Sequence, residues 1–387
     1  MTRTPARPST PTTTLTPTPS PTPTPPAAAL AALGWDEGHA AALARLDRSV
    51  QGLHPARVSR VDRGAVDLLG APVARALLAA PVAAAAAADP TVTPCVGDWV
   101  LVRPSPERGR EGQPLGVVEH VLPRRSAFVR ATAGESSHGQ VLAANVDLAV
   151  VVEPLLPEPE LGRIERFLAL AWESGATPVV VLTKADLVSD AEDLRADVAA
   201  GAPGVEVHVV STRTGQGVPA LRELVAPGST LVLLGRSGAG KSSLTNALAG
   251  AEVMATQAIR GDGKGRHTTV HRELVLLPGG GLVVDTPGLR GVGLTAVEAE
   301  SLDRVFADVE ELAADCRFAD CSHASEPGCA VQAAVEAGDL PERRLVSWRK
   351  LQREAHWMAT RHDARLRAEE RAKWKRIAAE SRGRIRP

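Results

Sequence analysis

The sequence predicts a multidomain α/β protein: an N-terminal OB-like β-barrel, a central nucleotide-binding domain built on a parallel sheet, and a C-terminal helical domain with a metal site. Three observations lead there. Residues 146–234 alternate strand-like and helix-like patterns, as a parallel sheet covered by helices requires. Residues 235–242, GRSGAGKS, match GxxxxGK[ST] between an apolar strand and a helix. Three of the four cysteines fall between 316 and 329 with a histidine among them, which points to metal and not to disulfides.

A chain of 387 residues exceeds one compact core and implies two or three domains. Composition divides it into a Pro/Thr-rich tail with an Ala-rich helical lead-in (1–48), a barrel (49–140), the nucleotide domain (141–297) and a helical metal-binding region (298–387). The tail, PTTTLTPTPSPTPTPP, buries too little apolar surface to offset its ordering entropy, so disorder is expected. It lacks the apolar core of a secretory signal, and no stretch approaches the roughly 20 apolar residues of a membrane span. A cytoplasmic protein without membrane contact is the expectation. The formal net charge of −1 conceals a basic end: residues 341–387 carry 15 Lys/Arg against 6 Asp/Glu.

Within the barrel region, RVSRVDRGAVDLL reads as two strands around an Asp-Arg-Gly turn, GDWVLVRP as a third, and GVVEHVLPRRSAFVRA as one or two more. The run Ala83–Ala88 reads as a connection or short helix. In the nucleotide domain, VDLAVVVEPL, TPVVVLTKADL, VEVHVVST and STLVLLG are strands, and GRIERFLALAWESGA, AEDLRADVAA and VPALRELV are helices. ELVLLPGGGLVVDTPG reads as a hairpin that adds a β-ribbon near the end of this domain.

The nucleotide site assembles from four pieces. In the loop Gly235, Arg236, Ser237, Gly238, Ala239, Gly240, Lys241, Ser242 and Ser243, the glycines let backbone N–H groups close around phosphates. Lys241 reaches the β and γ phosphates, and Ser242 is the candidate Mg²⁺ ligand. Asp285 closes a strand and can hold Mg²⁺ through water, while Gly288 can sense the γ-phosphate by its N–H. Thr183-Lys184-Ala185-Asp186 ends another strand as the NKxD motif of GTPases does; Asp186 can accept from guanine N1–H and the 2-amino group, for which adenine has no matching donors. Lys184 would lie along base and ribose. Thr183 replaces the usual Asn, so the amide that braces the phosphate loop is lost. Ser211-Thr212 ends the next strand, where a backbone N–H could meet guanine O6.

The base-reading pieces precede the phosphate loop, the reverse of an ordinary GTPase. Ligands of parallel α/β sheets bind at the carboxyl ends of the strands, so a circular permutation keeps the pocket and moves the chain ends. This order, with TKAD, GRSGAGKSS, GKGRHTT, DTPG, a preceding barrel and a following Cys/His cluster, resembles the circularly permuted, ribosome small-subunit-dependent GTPase A (RsgA) family over about residues 50–380. The resemblance implies a GTP hydrolase that assists late maturation of the 30S subunit, is activated by it and leaves it on hydrolysis. It also implies 16S rRNA and GTP/GDP as partners and a monomeric chain. It further implies that Thr268 or Thr269 closes over Mg²⁺ and the γ-phosphate.

Many GTPases place a Gln directly after the DxxG glycine to orient the attacking water. Here Leu289 stands there, so the orienting group must come from elsewhere, and His267 is the candidate. The pattern Cys316-x₄-Cys321-x-His323-x₅-Cys329 supplies three thiolates and an imidazole for a closed, structural Zn²⁺ site. Cys95 reads as a small buried residue. Arg103, Arg108, Arg110, Arg124, Arg125 and Arg130 are candidate phosphate contacts of the barrel, whereas Trp99 and Phe128 read as core, favouring recognition of RNA backbone over base stacking. The basic C-terminal helices would add salt-dependent attraction to RNA. The competing readings are a zinc-stabilised RNA-binding protein that keeps GTP as a structural ligand, and another P-loop NTPase.

Overall fold

The computed structural model describes residues 27–46, 50–62, 64–109, 112–130, 139–254, 272–285 and 299–362, without the side chains of 285, 299, 361 and 362. The Ala-rich lead-in is not one helix but two, α1 (Ala27–Ala31) and α2 (Glu37–Ala44). Gly34 breaks it. At φ +87° a Cβ there would stand 2.6 Å from the Gly228 carbonyl oxygen and 2.5 Å from Arg57 Nη1, so only glycine permits this close approach. Leu30 and Leu33 thereby reach the core, and Trp35 packs edge-on against Trp99 at 4.8 Å.

Five strands form the barrel: β1 (His54–Asp62), β2 (Ala65–Leu69), β3 (Arg75–Leu78), β4 (Trp99–Arg108) and β5 (Pro114–Val121), with helix α3 (Ala80–Ala88) after β3. Their order is β1-β2-β3-β5-β4, and β4 pairs back onto β1 to close the ring. The interior is small and branched: Ala56, Val58, Val66, Leu68, Val73, Ala76, Val100, Val102 and Val118. β3 has four residues and no alternation, so its sequence does not announce it; parallel pairing with β5 makes it a strand.

A separate hairpin, β6 (Ala127–Arg130) and β7 (Gln140–Ala144), packs over buried Cys95 and leads into the second sheet. That sheet alternates β8 (Leu148–Pro154), α4 (Leu161–Ser174), β9 (Thr177–Thr183), α5 (Ala191–Ala200), β10 (Glu206–Val209), α6 (Val218–Leu224), β11 (Thr230–Leu234) and α7 (Lys241–Ala249). It ends with β12 (Glu273–Leu276) and β13 (Leu282–Asp285). The order is β10-β9-β8-β11-β13-β12, parallel except for β12. The expected hairpin is present, but it is no appended ribbon: β13 lies beside β11 inside the sheet, pairing Thr230 with Leu282. Val and Leu fill these strands because both faces are covered.

Arg57 fastens lead-in, barrel and second sheet together. It is fully buried and donates to the carbonyls of Leu33 (2.5 Å), Gly97 (3.1 Å) and Asn145 (2.8 Å), with its plane over Trp99. Burial among groups that carry no full charge pulls its pKa down to about 10.

Helices α8 (Ala299–Val305), α9 (Ala307–Ala313), α10 (Ala330–Ala337) and α11 (Glu342–His362) complete the described chain. α4 is the plate on which they dock. Its buried Glu165 accepts from Arg344 (2.8 Å), Arg343 (3.1 Å) and Ser347, and Arg344 also grips Asp308 and stacks over Phe306. Nearer the end of α11, Glu354 pairs with Arg166 of α4 at 2.7 Å. Among the described residues no helix is long and apolar enough to cross a membrane.

Removing one partner of a buried ion pair leaves the other charge uncompensated, at a cost of about 3–5 kcal/mol. Arg344→Ala should therefore lower stability by that order in a denaturant titration. A loss no larger than that of exposed Arg304→Ala would show that this network is not what holds α11 to α4.

Candidate nucleotide-binding and metal sites

Parallel pairing puts the carboxyl ends of β8, β9, β10, β11 and β13 on one edge, and every described piece of the predicted nucleotide site lies there. Between β11 and α7 the phosphate loop turns on glycines at positive φ: Gly235 (+146°), Gly238 (+78°) and Gly240 (+96°). At Gly235 a Cβ would meet the Val152 carbonyl oxygen at 2.3 Å, so the loop can leave the sheet beside β8 only with glycine there. Lys241 opens α7, and its ammonium folds back to donate to the carbonyls of Gly235 (2.6 Å) and Arg236 (2.7 Å). Ser242 and Ser243 come next in the first turn, half-buried, with the positive end of the helix dipole behind them.

The base-reading loops converge on the same edge. Thr183 ends β9, Lys184 takes a left-handed backbone (φ 65°), and Ala185–Leu187 form a short 3₁₀ turn that presents Asp186. The Asp186 carboxylate is held from two sides: Ser211 Oγ donates to Oδ1 at 2.7 Å, and the Arg213 guanidinium stands 3.5 Å from Oδ2. The Ser211 hydrogen bond is the main cause that holds its pKa below the ordinary carboxylate value, with Arg213 adding to it. The Ser211 N–H itself goes to the Gln216 carbonyl at 3.0 Å, so it is not the N–H offered to guanine O6. Its hydroxyl and Arg213 are contributions that spacing along the chain did not indicate.

Thr183 corrects a second expectation. Its buried hydroxyl donates to the carbonyl of Ala239, in the phosphate loop, at 2.6 Å. The brace expected to vanish with the missing Asn amide is present in another form, because β9 and the loop approach closely enough for a short side chain to span them. Beneath it, Glu153 at the end of β8 is buried and forked by Arg163 of α4, at 2.5 and 3.0 Å.

Cys316, Cys321, His323 and Cys329 converge, with their ligand atoms all within 4.8 Å of one another. His323 Nδ1 lies 3.5 Å from the sulfurs of Cys316 and Cys329, which are 3.9 Å apart. A tetrahedral ion bound at about 2.3 Å to sulfur and about 2.0 Å to nitrogen implies edges of about 3.8 Å between sulfurs and about 3.5 Å from sulfur to nitrogen. The donor set therefore fits a four-coordinate metal. Cys329 also caps α10, its sulfur accepting from Gln332 N–H at 3.4 Å.

Similarity to known proteins agrees with this geometry. Residues 121–295 match the family model described as RsgA GTPase. The chain is 53% identical over 351 residues to the small ribosomal subunit biogenesis GTPase RsgA of Streptomyces avermitilis, covering 90% of this chain and 91% of that protein. It is 43% identical over 361 residues to the protein of the same name from Opitutus terrae, covering 92% and 98%. The chain belongs to the RsgA GTPase family. It is thus a GTP hydrolase. The crystal structure of YjeQ from Thermotoga maritima superposes with a TM-score of 0.56 at 28% identity, over 78% of this chain and 98% of that one. The structure of YloQ, a circularly permuted GTPase, has the same fold at a TM-score of 0.53 over 80% of this chain.

Of the residues expected to serve an RsgA GTPase, His267, Thr268, Thr269 and Gly288 lie outside the described residues, as do Leu289 and Arg110. Asp285 ends β13 on the nucleotide edge. Two barrel arginines are corrected. Arg124 is spent on a fork to buried Asp98 (both 2.8 Å) and on the carbonyls of Thr91 and Thr93, and Arg125 bridges Asp36 and Asp147. Arg103 pairs with Glu119, while Arg108 and Arg130 remain exposed. Trp99 and Phe128 are core, as the sequence indicated.

Both loop contacts are open to measurement. Thr183→Val removes one hydrogen bond of about 1–2 kcal/mol, so GTP should bind about 5–30-fold more weakly, and Thr183→Ser should restore it; equal affinity in all three proteins would remove the brace from the site. Because the folded Asp186 pKa is depressed, its charge persists as pH falls through the usual carboxylate range and is lost only below it. Competition of GTP against ATP should give the same preference at pH 8 and pH 5.5, and Asp186→Asn should abolish that preference at both.

Proposed function

We propose that this chain binds the small ribosomal subunit, assists its late maturation and uses GTP hydrolysis, stimulated by that particle, to leave it. The supporting observation is the convergence of the Thr183–Asp186 and Ser211–Arg213 loops with the phosphate loop on one sheet edge, hydrogen-bonded to each other through Thr183 and Ser211. The names of the relatives supply the particle.

Asp186 accepts from guanine N1–H and the 2-amino group, and Lys184 lies along the base and ribose. With the Ser211 N–H engaged in its own turn, Thr212 is the residue that offers a backbone N–H to guanine O6. Gly235–Gly240 and the first turn of α7 cradle the phosphates, and Lys241 exchanges its two carbonyl partners for the β and γ phosphates. Mg²⁺, held by Ser242 and, through water, by Asp285, neutralises developing charge on the phosphates. Thr268 or Thr269 closes over the γ-phosphate, and Gly288 senses it. Leu289 has no hydrogen-bonding group, so His267 orients the water once the ribosomal subunit orders its loop.

The metal is Zn²⁺ in a structural role: three sulfurs and one nitrogen at tetrahedral spacing leave no open position for a substrate. Contacts to 16S rRNA run through exposed arginines of the barrel and through the basic C-terminus, so affinity should fall steeply with salt. The chain acts as a monomer in the cytoplasm.

GTP turnover measured with and without 30S particles tests this reading. Strong stimulation is expected, and none at any particle concentration would leave GTP as a structural ligand. His267→Ala should lose most of the stimulated rate, on the order of 10²-fold, while binding GTP normally.

A further inference from the structure

The turn that carries the metal ligand His323 is organised by a carboxylate that is not itself a ligand. Glu326 accepts from Ser322 N–H (3.0 Å) and the Ser322 hydroxyl through Oε1, and from Ala324 N–H (2.8 Å) and Ser325 N–H (3.0 Å) through Oε2. These four donors flank His323 on both sides, and His323 has a left-handed backbone (φ 57°) that an L-residue seldom adopts without support. From the other side, Gln332 Nε2 and Arg349 donate to the His323 carbonyl, and its ring stands edge-on to Trp348 at 5.4 Å. The ring is buried and its Nδ1 is aimed at the sulfurs of Cys316 and Cys329.

We propose that Glu326 is a positioning residue of the metal site, holding the 322–325 turn so that His323 Nδ1 already faces the thiolates before metal arrives. Arg349 and Trp348 belong to α11, so the same turn joins the metal site to the helix that begins the basic C-terminal region. Groups that orient metal ligands without touching the metal commonly contribute 10–100-fold to affinity. An ionised carboxylate accepts at both oxygens, whereas an amide at 326 would present one oxygen and one NH₂ donor, so it cannot satisfy all four of these donors.

This rests on the zinc reading of the cluster. The test uses the full chain, stripped of metal and titrated with Zn²⁺ against a chromophoric chelator and with Co²⁺ by absorption, circular dichroism checking that each variant is folded. Glu326→Gln should weaken Zn²⁺ binding by about 10–100-fold and shift the Co²⁺ d–d bands while the thiolate charge-transfer bands remain, because the imidazole and not the sulfurs loses its place. Ser322→Ala removes a single donor and should give a smaller loss in the same direction. A wild-type chain that takes up no Zn²⁺ overturns the zinc reading and this proposal with it. A wild-type chain that binds Zn²⁺, with Glu326→Gln within twofold of it and an unchanged Co²⁺ spectrum, overturns the proposal alone.

Discussion

The parallel pairing of β10, β9, β8, β11 and β13 is the constraint on which everything else depends. A parallel ladder fixes the direction of every strand, so loops that leave the carboxyl ends must emerge along one edge whatever their order in the chain. That is why the Thr183–Asp186 loop can precede the phosphate loop without dispersing the site. The permutation alters the exit from the site: the Asp285–Gly288 motif runs toward α8 and the metal-bearing region, where an unpermuted chain would continue with the base-reading strands.

Short side chains then fix the loops to one another. The Thr183 hydroxyl reaches the phosphate loop, Ser211 reaches Asp186, and Arg163 grips Glu153 under both. Each bond joins the end of one strand to a group on a neighbouring element, so the pocket is held by contacts between elements. The same helix that supplies Arg163 supplies Glu165 and Arg166, which lock α11 through Arg344 and Glu354. One rigid helix thus lies between the floor of the nucleotide site and the basic C-terminal region. Buried ion pairs of this kind tolerate little displacement, since a small shift leaves charges without partners in a low-dielectric setting.

The metal region obeys the same logic at smaller scale. Between residues 314 and 328 there is little hydrophobic core, and most side chains are exposed. A tetrahedral ion and the hydrogen bonds of Glu326, Gln332 and Arg349 supply the order that apolar burial does not. At the other end of the chain, Arg57 and Gly34 do the equivalent service for the lead-in, one by satisfying three carbonyls and the other by leaving room for two backbones to meet.

Much of this was written in the sequence alone, because strand and helix periodicity, glycine at positive φ, a phosphate loop between strand and helix, and cysteine spacing are local properties. They were sufficient for the barrel, the permuted sheet, the phosphate and base loops and the four metal ligands. What the sequence left open depends on distances between segments far apart in the chain. The hydroxyl of Thr183 became a brace only because β9 lies close to the phosphate loop, and Arg124 was removed from the candidate RNA surface because Asp98 is buried beside it. The four-residue strand β3 exists because β5 pairs with it, and Glu326 matters because its carboxylate meets the turn before it. Chemistry that resides in a residue type can be read along the chain; chemistry that resides in a pair is decided when folding brings the two together.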